Sequence, residues 1–369
     1  MLVKDDRDEY AEMLIASRMA RFSTDSMSLT IAPTLGCNFC CPYCYEKGQE
    51  HTTMNDGVAN NLVAFVANRA QAVTSFNVAW YGGEPLLCLE RIQSLTERLR
   101  AAIPSNCEYS ASIVTNGYLM TPDVAKKLSL CEVKTAQVTL DGSRSDHDSR
   151  RVPHDGSPTY DRIMENVKKC ADIIDIVIRV NVDKTNIAAA DELLSYLEHA
   201  GLKNKVGFYL APVDNINETC GNGKQCFSVR EFSVEEVRFC ERAIDEGFQM
   251  RPIANLNCGI CGAVSRNTYV VDPGGDLYKC WDEIGKRDRR VGTLKEGLRM
   301  NAQLIRWLGY EPDDPECATC FAFPMCMGGC PHHAMTGAHK QCSSIRYNAE
   351  QKMLLAKRLH KMKAGVLRD

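Results

Sequence analysis

Short runs of β-branched residues alternate with longer helical patterns over residues 28–249 of the chain. Six runs predict strands: Leu29–Pro33, Phe76–Tyr81, Tyr109–Val114, Ala136–Leu140, Ile176–Val182 and Val206–Leu210. The predicted helices are Asp56–Ala72, Cys88–Ala102, Thr121–Leu130, Tyr160–Ala171, Ala188–Ala200 and Val234–Met250. Strands that alternate with helices of this length indicate βαβ units and a parallel sheet. Since six units are too few for a closed eightfold barrel, we expect an α/β fold built on a partial (β/α)6 TIM-like barrel.

The pattern changes after Met250, where long apolar periodicity becomes scarce. The elements predicted there are a hairpin, a short helix and a terminal helix: Thr268–Cys280, Leu304–Leu308 and Cys342–Lys363. An amphipathic helix, Glu9–Arg21, precedes the first strand. We therefore divide the chain into an N-terminal helical extension (1–27), the barrel (28–250), a small second domain (251–345) and a C-terminal helix (346–369).

Composition excludes several classes of protein. The 369 residues include 44 Lys and Arg against 47 Asp and Glu, a net charge of −3. No excess of positive charge is therefore present to hold the phosphates of a nucleic acid or a membrane surface. No run approaches the ~18 apolar residues of a membrane helix, and the charged start of the chain is not a signal peptide. We expect a cytoplasmic protein that binds neither nucleic acid nor membrane.

Cysteine content is the unusual feature of the composition. The chain contains 19 cysteines. A disulfide framework is typical of short secreted chains, and this chain is long and has no export signal. A small domain with little apolar core is often stabilised by bound metal instead. The excess of cysteine therefore predicts metal ligation.

The first predicted strand leads directly into a loop of cysteines. Cys37, Cys41 and Cys44 have the spacing C-x3-C-x2-C. Three thiolates on one loop can hold three irons of a [4Fe–4S] cluster and leave the fourth iron open to another ligand. The alternative is a structural zinc site, which would take its fourth ligand from Cys40. Otherwise we expect Cys40 to be a buried bystander.

This loop resembles the signature of the radical S-adenosylmethionine (SAM) superfamily, with Tyr43 in the aromatic position before the third cysteine. The resemblance implies that SAM binds the open iron through its amino and carboxylate groups. It also implies that an electron cleaves SAM to methionine and a 5′-deoxyadenosyl radical, which abstracts a hydrogen atom from the substrate. The three cysteines would then be catalytic residues as well as metal ligands.

Further candidates for SAM binding follow at predicted strand ends. Gly82-Gly83-Glu84-Pro85 resembles the family's GGEP motif, in which glycines allow close approach and the carboxylate faces the SAM ammonium group. Arg151 ends a His-Asp-x-x-Arg stretch similar to one in peptide-modifying members, and its guanidinium suits the SAM carboxylate. The remaining candidates are Asn116, Thr139, Asp141, Arg179 and Leu210.

A second group of cysteines occupies the carboxy-terminal third: Cys258, Cys261, Cys280, Cys317, Cys320, Cys326, Cys330 and Cys342. Its spacing resembles the SPASM extension of radical SAM enzymes that modify peptides and proteins, which houses two auxiliary [4Fe–4S] clusters. The resemblance implies that Cys261, Cys280 and Cys330 bind the first cluster, with Cys258 as fourth ligand. The other four cysteines would bind the second.

Two alternatives remain open for this region. If Cys258 does not ligate, the first auxiliary cluster has an open iron for substrate. A pair of structural zinc ribbons is also compatible with the spacing of Cys317 and Cys320. The fold expected from the resemblance is thus a partial barrel followed by a small SPASM domain stabilised by iron–sulfur clusters.

The resemblance covers nearly the whole chain and implies a peptide maturase that installs a thioether or carbon–carbon crosslink in a ribosomally synthesised peptide. An anaerobic sulfatase-maturating enzyme, which forms formylglycine from Cys or Ser, is the alternative. In that group an aspartate directly follows the cysteine, whereas here Trp281 intervenes and the candidate catalytic base becomes Asp282. A non-catalytic iron–sulfur electron carrier is the hypothesis from a different class, and it leaves residues 82–84 without a purpose.

The expected partners follow from this chemistry. They are a precursor peptide and a reductant such as flavodoxin or ferredoxin. The ~27 residues before the first strand are too few for a leader-binding winged-helix domain of ordinary domain size. We therefore also expect a separate leader-binding protein, unless the barrel and SPASM surfaces recognise the substrate themselves.

Overall fold

The computed structural model describes residues 7–214, 225–250, 261–337 and 341–363. Its first half is a parallel sheet of β1 (Ser26–Ile31), β2 (Ser75–Trp80), β3 (Glu108–Thr115), β4 (Val133–Thr139), β5 (Asp175–Val182) and β6 (Gly207–Pro212). The helices of this half are α1 (Glu9–Phe22), α2 (Asp56–Arg69), α3 (Leu89–Ala102), α4 (Pro122–Leu130), α5 (Arg144–Arg150), α6 (Tyr160–Cys170), α7 (Ala189–His199) and α8 (Val229–Asp245). Adjacent strands pair in chain order, which confirms the predicted partial barrel.

The second half extends the same sheet. Its strands are β7 (Thr268–Val271), β8 (Asp276–Tyr278), β9 (Gly292–Thr293) and β10 (Gly297–Leu298). Its helices are α9 (Ala302–Leu308), α10 (Pro315–Ala318), α11 (Phe323–Cys326), α12 (Pro331–Thr336) and α13 (Ile345–Lys363). The predicted hairpin is confirmed as β7 and β8, and β7 pairs in parallel with β1. The ten strands therefore form one sheet whose two edges are β6 and β10.

Side chains alternate between the two faces of the barrel strands. On β2, Phe76, Val78 and Trp80 face the helices and are buried in the core. On the lumen side, one row of the register consists of small residues: Thr30, Ala79, Ser112 and Thr135. A cavity of about 420 Å³ lies against this row. The lumen is therefore not filled by large branched side chains, as it is in a closed eightfold barrel.

Several element boundaries differ from the prediction. Helix α8 begins at Val229, five residues earlier than expected, because Ser228 and Glu231 form a capping box there. The terminal helix begins at Ile345 and not at Cys342. Helix α5 was not predicted, since its seven residues carry no apolar periodicity, although the Ser143 hydroxyl caps its amino end.

Helix α1 is anchored to the second half of the molecule. The Tyr10 hydroxyl donates a hydrogen bond to Pro312 O at 2.6 Å, and the Tyr10 ring lies 4.7 Å from that of Phe323. The buried Arg21 donates to the carbonyl of Leu308 and pairs with Glu311 at 3.2 Å. At the other end of the chain, α13 packs on α8. None of the helices in the described segments is long and apolar enough to cross a membrane.

Arg21 provides a test of how α1 contributes to stability. Its guanidinium is almost completely buried, so Arg21→Ala leaves Leu308 O and Val264 O without this donor and leaves Glu311 paired with Arg18 alone. We expect a loss of roughly 3 kcal/mol in the free energy of unfolding, measured in anaerobic urea titrations. Arg18 pairs with the same Glu311 but is half exposed. Arg18→Ala should therefore cost less than about 1 kcal/mol, and equal losses for the two variants would contradict this assignment.

Candidate functional site

The cysteine loop lies at the carboxyl end of β1. Cys37, Cys41 and Cys44 are half-buried, and burial raises the pKa of Cys37 to about 12 and that of Cys44 to about 11. Metal binding to Cys37 and Cys44 must therefore displace their protons at neutral pH. Cys40 is exposed and its Sγ approaches Val152 O at 3.3 Å. The expectation of a buried Cys40 was therefore wrong.

The Gly82-Gly83-Glu84 segment packs directly against the cysteine loop. A Cβ on Gly82 would lie 2.4 Å from Thr34 O, and one on Gly83 would lie 2.3 Å from Gly36 O. Gly82 also has a φ of +109°, which side chains rarely allow. The amide of Glu84 donates to Gly36 O at 2.9 Å. The two glycines thus allow the end of β2 to contact the backbone that precedes Cys37.

The Glu84 carboxylate is completely buried and already has three protein donors. It accepts hydrogen bonds from Leu86 N at 3.0 Å, Thr115 Oγ1 at 2.7 Å and Asn116 N at 2.7 Å. The side chain of Asn116 in turn donates to Asn38 Oδ1, inside the cysteine loop, at 2.8 Å. Glu84 therefore links the ends of β2 and β3 to the cysteine loop.

Tyr43 connects the cysteine loop to the far side of the barrel. Its hydroxyl donates to the Asp141 carboxylate and accepts a hydrogen bond from Arg151 Nη1 at 2.9 Å. Asp141, at the end of β4, also accepts from Asn181 N on β5 at 3.2 Å. The guanidinium of Arg150 lies 4.9 Å from the centre of the Tyr43 ring. The loop is thus fixed to the ends of β4 and β5.

The His-Asp-x-x-Arg stretch supports this contact. The buried His147 accepts a hydrogen bond from Asp141 N on Nδ1 at 3.2 Å, and burial holds its pKa well below the usual value. The imidazole is therefore neutral, with its proton on Nε2 directed at Thr159 Oγ1. Asp148 accepts from the amides of Thr159 and Tyr160 at the start of α6. These contacts fix the backbone of Asp141.

Two arginines beside the cysteine loop, the largely buried Arg150 and the buried Arg151, have guanidinium nitrogens that donate no hydrogen bond to the described residues. Arg150 Nη1 pairs with Asp183 Oδ2 at 2.8 Å, and Arg150 Nε lies 3.6 Å from Asp141 Oδ2, beyond hydrogen-bond distance. Arg150 Nε and Nη2 and Arg151 Nε have no hydrogen-bond partner among the residues that the structure describes. Buried donors of this kind fit an anionic ligand such as a carboxylate. Sequence reasoning missed Arg150, although it directly precedes the candidate Arg151.

The remaining candidates lie on the strands. Thr139, Arg179 and Tyr209 are partners in one row of the register, on the lumen side of β4, β5 and β6. Leu210 is buried in the core, and by alternation its side chain points away from the lumen. Tyr209 occupies the lumen position next to it. Which of these two neighbours faces the lumen follows from the alternation of side chains along β6. The residues around them in the sequence do not indicate it.

The first auxiliary group of cysteines gathers at the ends of three elements. Cys261 precedes β7, Cys280 follows β8 and Cys330 precedes α12. Burial raises the pKa of the Cys280 thiol, and Asp282, Cys261 and Cys330 raise it further, so these groups share one neighbourhood. Cys258 lies outside the described residues.

The buried Lys279 fixes the segment that follows Cys261. Its ammonium group donates to Ser265 O and Thr268 O and lies 4.5 Å from the centre of the Tyr269 ring. These contacts hold the turn before β7 against the end of β8. Lys279 is adjacent to Cys280, and the carbonyls it binds follow Cys261 in the chain. This contact therefore helps to fix the distance between the two cysteines.

The second auxiliary group lies around α10, α11 and the start of α13: Cys317, Cys320, Cys326 and Cys342. Cys317 is buried and the other three are half-buried. Among the described residues, no group of three or more His, Cys, Asp or Glu side chains is arranged to hold a single metal ion. A four-iron cluster distributes its thiolates over separate irons, so it requires a wider set of sulfurs than one ion does.

Side-chain contacts join the ends of barrel strands to the second half of the chain. His333 on α12 pairs with Asp214, just after β6, at 2.6 Å. Trp281 stacks on Tyr81 with ring centres 5.9 Å apart. The candidate base Asp282 lies beside these residues, and its carboxylate approaches Cys280 Sγ at 3.5 Å. Residues of the second half therefore border the lumen.

Comparison with known proteins agrees with this geometry. The model of the Radical SAM superfamily matches residues 31–218, about half of the chain. The chain belongs to the radical SAM superfamily. This assignment implies that the protein is an enzyme using SAM and a [4Fe–4S] cluster.

Several curated relatives of this radical SAM enzyme are maturases. Mycofactocin maturase MftC of Mycolicibacterium smegmatis is 24% identical over 316 residues, covering 82% of this chain and 77% of the relative. The serine-type anaerobic sulfatase-maturating enzyme of Klebsiella aerogenes is 25% identical, covering 80% of this chain and 77% of the relative.

Two solved structures share the fold. Native anSMEcpe with bound AdoMet superposes with a TM-score of 0.70 at 20% identity, covering 92% of this chain and all of that one. Streptococcus suis SuiB bound to S-adenosylmethionine gives 0.63 at 14% identity, covering 92% of this chain and 80% of that one. Both likenesses extend across the barrel and the cysteine-rich half.

Glu84→Gln tests the role of the buried carboxylate. Glutamine keeps the shape of the side chain but replaces one acceptor oxygen with an NH2 donor. That donor would face the hydroxyl of Thr115 or the amide of Asn116, which also donate. We expect SAM binding, measured by anaerobic calorimetry, to weaken by roughly 1.5–3 kcal/mol. Glu90→Gln, in the first turn of α3, is the control and should bind SAM as the wild type does. Unchanged SAM affinity in Glu84→Gln would contradict the assignment.

Proposed function

We propose that the protein is a radical SAM/SPASM peptide maturase that installs an oxidative thioether or carbon–carbon crosslink in a ribosomally synthesised peptide. The proposal rests on one observation: the cysteine loop lies at the end of a polar lumen, and the cysteine-rich half of the chain lies beside that lumen. Trp281 and Asp282 border this lumen from that half. An extended substrate can therefore contact both halves of the molecule.

Residues of this chain account for binding of the SAM cluster and of SAM. Cys37, Cys41 and Cys44 would hold the cluster, which when bound supplies the electron that cleaves SAM to a hydrogen-abstracting radical. Arg150 and Arg151 offer buried, unused donors to the SAM carboxylate. The backbone of residues 82–84, fixed beside the cysteine loop, is the proposed contact for the SAM ammonium group.

The auxiliary clusters belong to the same proposal. Cys261, Cys280 and Cys330, with Cys258, would bind the first, and the group around α10 and α11 would bind the second. Hydrogen abstraction from a side chain followed by crosslinking leaves an electron to be removed, and an auxiliary cluster is the proposed acceptor. Asp282 is the proposed acceptor of the substrate proton, since its carboxylate lies beside Cys280. Flavodoxin or ferredoxin is the proposed reductant.

Sulfatase maturation is the second candidate function. It is favoured by the sulfatase-maturating relatives, which are 25% identical to this chain, whereas the mycofactocin maturase of Mycolicibacterium smegmatis is 24% identical. In this chain Trp281 follows Cys280, and its side chain is half exposed and stacked on Tyr81. An incubation with a sulfatase-derived Cys or Ser peptide distinguishes the candidates, since formylglycine formation supports only the second.

Iron content tests the cluster assignment. Anaerobically reconstituted protein should hold about twelve irons, from three clusters of four. Replacing Cys37, Cys41 and Cys44 with Ala should remove about four irons and abolish 5′-deoxyadenosine formation. The auxiliary clusters should stay, so the optical spectrum of iron–sulfur centres persists. Full iron content in the triple variant would contradict the assignment, and wild-type protein that forms no 5′-deoxyadenosine after reduction would favour an electron carrier.

Cys280→Ala tests the electron-accepting role of the first auxiliary cluster. We expect a folded variant that still cleaves SAM to 5′-deoxyadenosine yet yields little modified peptide. The folded state is checked by iron content and circular dichroism. Loss of both activities with aggregation would instead assign the cluster a structural role, because ligation energy then serves folding. Full peptide modification would contradict both roles.

A further inference from the structure

Arg179 is a lumen-facing cation that stands apart from the arginines of the cysteine loop. It is half-buried on β5, and its Nε donates to Asn181 Oδ1 at 2.8 Å. Its terminal nitrogens make no hydrogen bond or ion pair with any residue in the described part of the chain. Arg150 and Arg151, in contrast, contact Tyr43. The Arg179 fork is therefore available to a ligand in the lumen.

The position of Arg179 favours a ligand that enters from the side of the barrel. Its register partner on β6 is Tyr209, whose side chain is 37% exposed and donates to Gln137 Oε1 at 2.7 Å. Because β6 is an edge of the sheet, no further strand within the described ranges covers the lumen on this side. An extended chain reaching the cysteine loop from this side passes Arg179.

An aromatic surface accompanies the cation. The Trp281 ring is 50% exposed and stacks on Tyr81. Burial raises the pKa of Tyr81, and the positive charge of Arg179 partly offsets this shift, so the two side chains face a common space. The exposed Trp281 ring can pack against an apolar group, and the Arg179 guanidinium can pair with a carboxylate. A peptide residue can make both contacts, whereas a simple ion can make only the second.

We propose that Arg179 binds a carboxylate of the peptide substrate and so selects an acidic residue, or a free carboxyl terminus, next to the modified position. The proposal rests on the peptide-modifying function proposed above. A guanidinium pairs with a carboxylate through two parallel hydrogen bonds, which fixes orientation as well as charge. Since SAM also carries a carboxylate, and the sequence pattern makes Arg179 a candidate for SAM binding, the test must separate the two sources.

The test is affinity selection from a synthetic library of N-acetylated hexapeptides, prepared both as free acids and as amides. The selecting protein is anaerobic holoenzyme saturated with SAM, and retained peptides are identified by mass spectrometry. Wild type should enrich peptides with Asp, Glu or a free carboxyl terminus by roughly tenfold or more. Enrichment in the amide library identifies an acidic side chain, and enrichment confined to the free acids identifies the carboxyl terminus.

Two substitutions make the selection specific for Arg179. Arg179→Gln should lose the acidic preference, and Arg179→Glu should replace it with a preference for Lys or Arg. Arg299 is an exposed arginine of the second half, so Arg299→Gln and Arg299→Glu are the matched charge controls and should select as wild type does. Iron content and circular dichroism equal to wild type establish that the variants are folded.

Three results would overturn the proposal. They are a wild-type selection without acidic preference, an unchanged preference in Arg179→Glu, and a tenfold loss of SAM affinity in Arg179→Gln with unchanged peptide selection. The last result would assign Arg179 to the SAM carboxylate. Peptide binding is measured here without turnover, so it is separate from the proposed function. If wild type forms no 5′-deoxyadenosine, that function fails while the charge preference is still measured.

Discussion

A part-buried contact between the cysteine loop and the ends of two strands holds the site together. Tyr43 lies between the second and third cysteines, and its hydroxyl bridges Asp141 and Arg151. The cysteine loop has no regular secondary structure of its own, so its shape depends on such contacts. On the opposite side, the Glu84 carboxylate and Asn116 hold the loop to β2 and β3. The loop is thus attached to four strands beyond β1.

Charge balance explains why these groups tolerate burial. Arg150 lies near Asp141 and Asp183, and Arg151 bonds to the neutral Tyr43 hydroxyl, which in turn donates to Asp141. The two cations and the two carboxylates therefore belong to one network. The donors left over on both arginines then favour an anion from outside the chain. The same network that fixes the cysteine loop therefore provides binding capacity for the carboxylate of SAM.

The barrel could be predicted because each of its strands and most of its helices have a recognisable local sequence pattern. Each predicted strand overlaps an observed one, since β-branched runs alternate with helical periodicity. The parallel pairing of β7 with β1 could not be predicted, because a ladder between distant segments leaves no local pattern. Helix α5 was not predicted because its polar sequence lacks an apolar face. The spacing of Ser143 and Asp146 is nevertheless typical of a helix N-cap.

The candidate site combines local sequence signals with contacts that depend on tertiary packing. Cysteine spacing is a local signal, so the sequence alone predicts which cysteines ligate clusters, and this assignment stays a prediction. The three protein donors on Glu84 and the unused donors of Arg150 arise from tertiary packing, which spacing does not encode. Leu210 and Tyr209 are adjacent on β6 and lie on opposite faces of the sheet, so Leu210 belongs to the core and Tyr209 faces the lumen.

The affinity of reconstituted Tyr43→Phe for SAM tests the central claim most directly. Phenylalanine keeps the ring under Arg150 and removes only the hydroxyl that joins Asp141 to Arg151. The account predicts full iron content with SAM binding weakened about tenfold, since buried charged partners lose a hydrogen bond. SAM affinity equal to that of the wild type would contradict the claim that this contact positions the site.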